Sequence, residues 1–235
     1  MWHTLPVPWF GNSSQKVEVA TVGLNPSWKE FETEDRILRP PKERLPALTD
    51  FGATHRFEIT DMQAQLAAEA RSKYFTGVER KPNPFFNALQ GVIAATKSNW
   101  RYDKGTAVHL DIVANATRPV WSQLGFDAQQ ILVSKCFPKF TGTLSQIPSE
   151  AWLMLDGRTA FDSVSSGCNA ESLESTIGEN PPLTVWRGCL SPAFGNRVFL
   201  GWSMPVNQQI KQKNNQFPLI EWLRSQVNTQ QVSPY

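Results

Sequence analysis

Apolar residues along the chain fall into short runs, with stretches of helical spacing between them. Runs at 17–22, 107–113, 152–155, 183–186 and 197–200 are of strand length and end in polar or glycine-containing loops. Met62, Leu66, Ala70 and Tyr74 recur every fourth residue, which predicts a helix over 61–75 capped by Thr60 or Asp61. Asn83-Pro-Phe-Phe-Asn87 opens a second helix, with Pro84 suited to the first turn and Leu89, Val92 and Ile93 on one face. Further helices are predicted over 127–137, 158–164 and 217–226. Strands alternating with helices make an α/β fold with a mostly parallel sheet, in one domain spanning 1–235. Residues 1–16 read as an irregular arm, 28–60 as a long charged loop, 165–182 as loop, and 228–235 as a frayed tail.

The first apolar run ends in Gly23-Leu-Asn-Pro-Ser27. Pro26 pushes Asn25 toward extended backbone, so a short amide side chain is held at the carboxyl end of a strand. Ligands bind at that end of open α/β sheets, although Asn-Pro is also common in plain turns. The run at 107–113 is apolar apart from His109 and Asp111, which share one face. A carboxylate there is expensive to bury unless it is paired or serves a site. His109 reads as a core histidine. The run at 197–200 leads into Gly201-Trp-Ser-Met-Pro-Val-Asn-Gln208, a third passage from strand to polar loop. Lys29, Arg36, Arg39, Lys42 and Arg44 give the 28–60 loop a basic character suited to phosphates, or to a merely solvated surface.

Composition narrows the partners. A formal charge of +2 and a pI of about 8.4 tolerate nucleic acid without demanding it. The chain has 9 Trp and 14 Phe, rings that can fill a core or stack on bases. Cys136, Cys168 and Cys189 are too widely spaced for a zinc or disulfide framework, so no metal is expected and a reduced cytoplasm fits. No signal-peptide pattern or run of membrane-span length is present, and no apolar edge suggests an obligate oligomer; a monomer is expected. The glycine patterns of dinucleotide and triphosphate sites and the Gly-x-Ser-x-Gly of hydrolases are absent.

In order, Gly23-Leu-Asn-Pro-Ser27, Asn83-Pro-Phe-Phe-Asn87, Leu110-Asp-Ile-Val113 and Gly201-Trp-Ser-Met-Pro205 resemble the motifs of the uracil-DNA glycosylase superfamily. The first is similar to the Gly-Ile-Asn-Pro-Gly of its mismatch-specific branch, and the likeness covers about residues 15–225. It implies a three-layer α/β/α sandwich around a four-stranded, largely parallel sheet. It also implies a base-flipping monofunctional glycosylase that acts on DNA without cofactor or metal. Asn25 would then position the attacking water, since an amide orients water but hardly deprotonates it. Gly23, Leu24 and Pro26 would shape the base site, with Phe85 or Phe86 and Trp28 stacking on the flipped base. Ser27, Trp202, Ser203, Asn207 and Gln208 would contact DNA, with Val206, Asn207 or Gln208 filling the gap left by the base. Arg39, Lys42 and Arg44 would add phosphate contacts.

Two departures from the family pattern shape the expected substrate. The histidine that stabilises the departing base is replaced by Trp202 or Ser203. Asp111-Ile-Val-Ala-Asn115 stands where relatives end a strand in an asparagine that reads uracil. An ionised Asp is only an acceptor and suits the exocyclic amine of cytosine rather than uracil O4. Excising plain cytosine would destroy the host genome. The expected target is therefore a modified cytosine, such as glucosylated hydroxymethylcytosine of phage DNA, in anti-phage defence. If Asp111 instead activates water, the substrate inference falls while the glycosylase reading stands. The alternatives are a uracil or deaminated-base repair glycosylase, a non-catalytic nucleic-acid binding module, and a nucleoside hydrolase.

Overall fold

The structure, a computed structural model, describes residues 4–12, 16–31, 45–77, 82–179, 181–206 and 216–230. Its strands are β1 (Trp9–Phe10), β2 (Val19–Gly23), β3 (Ala107–Asp111), β4 (Trp152–Asp156), β5 (Glu171–Ile177), β6 (Leu183–Cys189) and β7 (Val198–Trp202). They form one mixed sheet in the order β1-β3-β2-β4-β7-β6-β5. The neighbours β3, β2, β4 and β7 run parallel, β1 pairs antiparallel with β3, and β5 and β6 are antiparallel additions beyond β7. The sheet is thus wider than the four strands the resemblance implied, and the fold is α/β with a mixed seven-stranded sheet.

The helices are α1 (Asp61–Ser72), α2 (Pro84–Thr96), α3 (Phe126–Leu144), α4 (Arg158–Gly167) and α5 (Gln216–Gln230). Every residue of β2 and β3 is buried, as expected for parallel strands covered on both faces. Alternation then sorts the side chains. Val19, Ala107, Met154 and Leu200 pack with Leu89, Val92 and Ile93 of α2 and Leu219 and Leu223 of α5. Ala20, Val108, Leu153 and Phe199 pack with Phe140 and Leu144 of α3 and Phe161 and Val164 of α4. Buried Arg197 donates to the carbonyls of Leu144 (3.2 Å) and Ile147 (2.9 Å), placing its cation at the negative end of α3.

Two local expectations change. Met62 and Leu66 are exposed, because α1 turns Ala67 toward a small satellite core of Leu5, Leu48 and Ala53. The 165–182 stretch contains β5, a strand exposed at all but its last residue. Its pairing comes from β6, and with both faces largely uncovered no apolar run marks it. Among the described residues no helix is long and apolar enough to cross a membrane.

The β5–β6–β7 join depends on close backbone approach at Gly188. A Cβ there would lie 2.2 Å from the Glu171 carbonyl oxygen and 2.4 Å from Phe199 Cζ. Gly188→Ala should destabilise the protein by roughly 2–3 kcal/mol or more in urea unfolding, as for overpacked cores. An unchanged midpoint would contradict this packing.

Candidate active site

The parallel register brings the strand ends together. Gly23 lies opposite Asp111, Val22 opposite Leu155, and Asp156 opposite Trp202. A cavity of about 390 Å³ opens over this row, within the size range of small-ligand sites. Its lining draws on the 23–30 loop, the start of α2, the end of β3, the 117–122 loop, Asp156 and Pro205. Gly23 keeps the approach close, since a Cβ would sit 3.0 Å from the His109 ring and 3.3 Å from Asp111 Oδ1 and would press on both.

Asn25 is fixed by its amide hydrogens. Nδ2 donates to the Pro26 carbonyl and to Thr117 Oγ1, each at 3.1 Å. Its Oδ1 is therefore the atom turned to a ligand or water, held by the loop that follows β3. Ser27 caps the short helical turn Trp28–Glu30 by accepting from the Lys29 N–H. That turn presents Trp28 to the cavity, flanked by exposed Lys29 (5.7 Å from Nζ to the ring centroid) and exposed Arg118 (5.2 Å from Cζ).

Two phenylalanines of α2 divide their roles. Phe86 is buried among Phe10, Tyr74, Phe75 and Tyr102, whereas Phe85 is half-buried and faces the cavity. Both pack edge-on against His109, at 5.6 Å and 5.1 Å between centroids. Asn83 N-caps α2 and donates to Glu30 Oε1 at 3.0 Å, tying the helix to the first loop.

Beneath the cavity lies a chain of buried polar groups. Tyr102 Oη and Thr21 Oγ1 are 2.6 Å apart, Thr21 Oγ1 and His109 Nδ1 are 2.8 Å apart, and His109 Nε2 is 3.4 Å from Asp111 Oδ1. Asp111 Oδ2 is buried and has no hydrogen-bond partner among the described residues. Burial pushes the Asp111 carboxyl above the ordinary carboxylate range, with His109 pulling it back down. Asp156 Oδ1 accepts from the Trp202 indole N–H (2.7 Å) and the Val206 N–H (2.9 Å), so it holds the 202–206 turn against β4. Burial raises Asp156 to about 6 against these two hydrogen bonds.

Of the residues expected from sequence, Gly23, Leu24, Asn25, Pro26, Ser27, Trp28, Phe85, Phe86 and Asp111 all line this one cavity. Trp202 does not serve as a DNA contact, because its ring is fully buried and its N–H is bound to Asp156. Val206 is likewise fully buried, which removes it as a wedge. Ser203 lies outside the lining and accepts from the Thr184 N–H at 3.2 Å, joining β7 to β6. Arg39, Lys42, Arg44, Asn207 and Gln208 lie outside the described residues. Sequence reasoning passed over Thr117, Trp121 and Asp156, all of which line the cavity. Asp156 carried a usable signal, a carboxylate closing the apolar run Trp152-Leu-Met-Leu155. Among the described residues no group of three or more His, Cys, Asp or Glu could hold a metal ion. No protein-family model matches the chain, and no curated protein matches its sequence.

Asp156 binds its proton more tightly in the fold than at the unfolded value of 3.8. Its contribution to stability is thus fully present below about pH 3.8 and is lost as pH rises through about 6. Urea unfolding across this window should show a loss of roughly 2–3 kcal/mol that is absent in Asp156→Asn. The same pH dependence in both proteins would contradict the assignment.

Proposed function

We propose that the protein is a monofunctional DNA glycosylase of the uracil-DNA glycosylase superfamily, built as a three-layer α/β/α sandwich around the parallel strands. It hydrolyses the N-glycosidic bond of a flipped-out modified cytosine and leaves an abasic site. The observation that carries this reading is the sorting of charge around the cavity. Glu30, Asp111, Asp156 and His109 line the interior, and among the described lining residues there is no Lys or Arg. Lys29 and Arg118 instead stand exposed beside Trp28. Cations outside suit phosphates, and carboxyl groups inside suit an amine-bearing base and a cationic transition state.

In this reading Phe85 and Trp28 offer faces to the extruded base, and the Asp111 carboxyl accepts its exocyclic N4–H. As the C1′–N1 bond lengthens, the sugar takes on oxocarbenium character that the interior carboxylates stabilise. Water held on Asn25 Oδ1 then adds to C1′. Uracil would turn its O4 carbonyl toward Asp111 where cytosine turns an amine donor, which favours a cytosine-derived target over a deaminated one. Glucosylated hydroxymethylcytosine of invading phage DNA fits the requirement that host DNA be spared, and the enzyme would then act in cytoplasmic defence.

Abasic-site formation on duplexes containing uracil, hypoxanthine, hydroxymethylcytosine or its glucosylated form tests the proposal. Cleavage is expected on modified cytosine, with Asn25→Ala slowing it by about 100-fold or more through loss of water positioning. Cleavage confined to uracil would discard the substrate assignment. No abasic sites on any duplex would make the protein a binding module.

A further inference from the structure

A base leaving an acid-lined cavity cannot depart comfortably as an anion, so it has to leave protonated. Resting on the glycosylase reading, we infer that Asp111 and His109 hold a single proton between them and pass it to N3 of the departing cytosine. Asp111 is the catalytic acid that touches the base, and His109 is the positioning residue behind it.

The buried network gives this proton a path. Burial raises the Tyr102 phenol well above its ordinary range, so it stays protonated and donates to Thr21 Oγ1 at 2.6 Å. In this proposal Thr21 gives its own hydrogen to the Val108 carbonyl at 3.3 Å and not to His109 Nδ1. The 2.8 Å contact to His109 is then donated by Nδ1–H, which leaves Nε2 facing Asp111 Oδ1 at 3.4 Å. Either Nε2 or the carboxyl carries the remaining proton, while Oδ2, buried and without a partner among the described residues, has to be uncovered to meet the base. The other ionisable groups around this pair are Tyr102, Asp156 on β4 and Glu30 on the first loop, and no Lys or Arg lines the cavity among the described residues.

A cytosine edge fits a carboxyl group in two contacts, N4–H to one oxygen and N3 to the proton on the other. In the intact nucleotide the glycosidic bond holds the N1 electron pair and N3 is only weakly basic, so the proton stays on the pair. As the C1′–N1 bond breaks, its electron pair moves into the ring and N3 becomes the stronger base. The proton crosses through Asp111 to N3, and the base leaves neutral. Water adds its oxygen to C1′, and the proton it releases returns to the Asp111–His109 pair. This supplies what the missing family histidine would have supplied, from a different strand.

Only the form with the proton on the pair is active, so activity is lost as pH rises through its removal. Single-turnover base release from modified-cytosine DNA, followed against pH, should therefore fall about tenfold per pH unit on the alkaline side. Asp111→Asn keeps the shape but has no acidic proton. It should release base about 100-fold or more slowly with no alkaline limb, while binding the free modified base within about threefold of wild type. His109→Gln should displace the limb with substrate binding little changed. A wild-type profile without an alkaline limb would overturn the inference with no variant needed. Asp111→Asn that loses binding but keeps its maximal rate would also overturn it, leaving Asp111 as a reader of the base. Wild type inactive on every duplex would instead overturn the glycosylase reading, and this inference with it.

Discussion

A carboxylate buried at a strand end with one oxygen unpartnered is the constraint from which the rest of the site follows. Asp111 closes β3 in the same row as Gly23, and its Oδ2 finds no hydrogen bond among the described residues. Leaving a buried acceptor unmet costs about 1–3 kcal/mol, more when it is charged. The fold accommodates it by placing His109 on the same face, keeping Gly23 without a side chain, and leaving a cavity above.

The parallel sheet makes this possible. With β3, β2, β4 and β7 in parallel register, their carboxyl ends finish side by side and their loops converge on one opening. Asn25 comes from the first loop and is fixed by Thr117 from the second. Asp156 holds the turn after β7, whose Pro205 closes one side. Three loops distant in sequence thus share one site, and a hydrogen bond ties the first to the second.

Part of this was legible in the residues. Asn25 stood out because Asn-Pro follows a buried run, and Asp111 because a carboxylate interrupts one. Asp156 carried the second signal equally well but was masked by Gly157, which made it read as a turn. Thr117 and Trp121 sit on a polar loop whose closure over the cavity is a tertiary event with no periodic trace. His109 is in the core, as its apolar neighbours suggested, yet its two nitrogens face Thr21 and Asp111, which spacing alone does not reveal. Met62 and Leu66 recur as a core face would, but small Ala67 takes the buried side. At the end of β7, Trp202 shows the reverse case, a polar-looking strand end whose side chain fastens the fold.

The most direct measurement is mass spectrometry of the small molecules released when the protein is incubated with DNA carrying glucosylated hydroxymethylcytosine. The intact substituted base, free of deoxyribose, is the expected product. Release of glucose alone, of a nucleoside, or of nothing would contradict cleavage at the N-glycosidic bond.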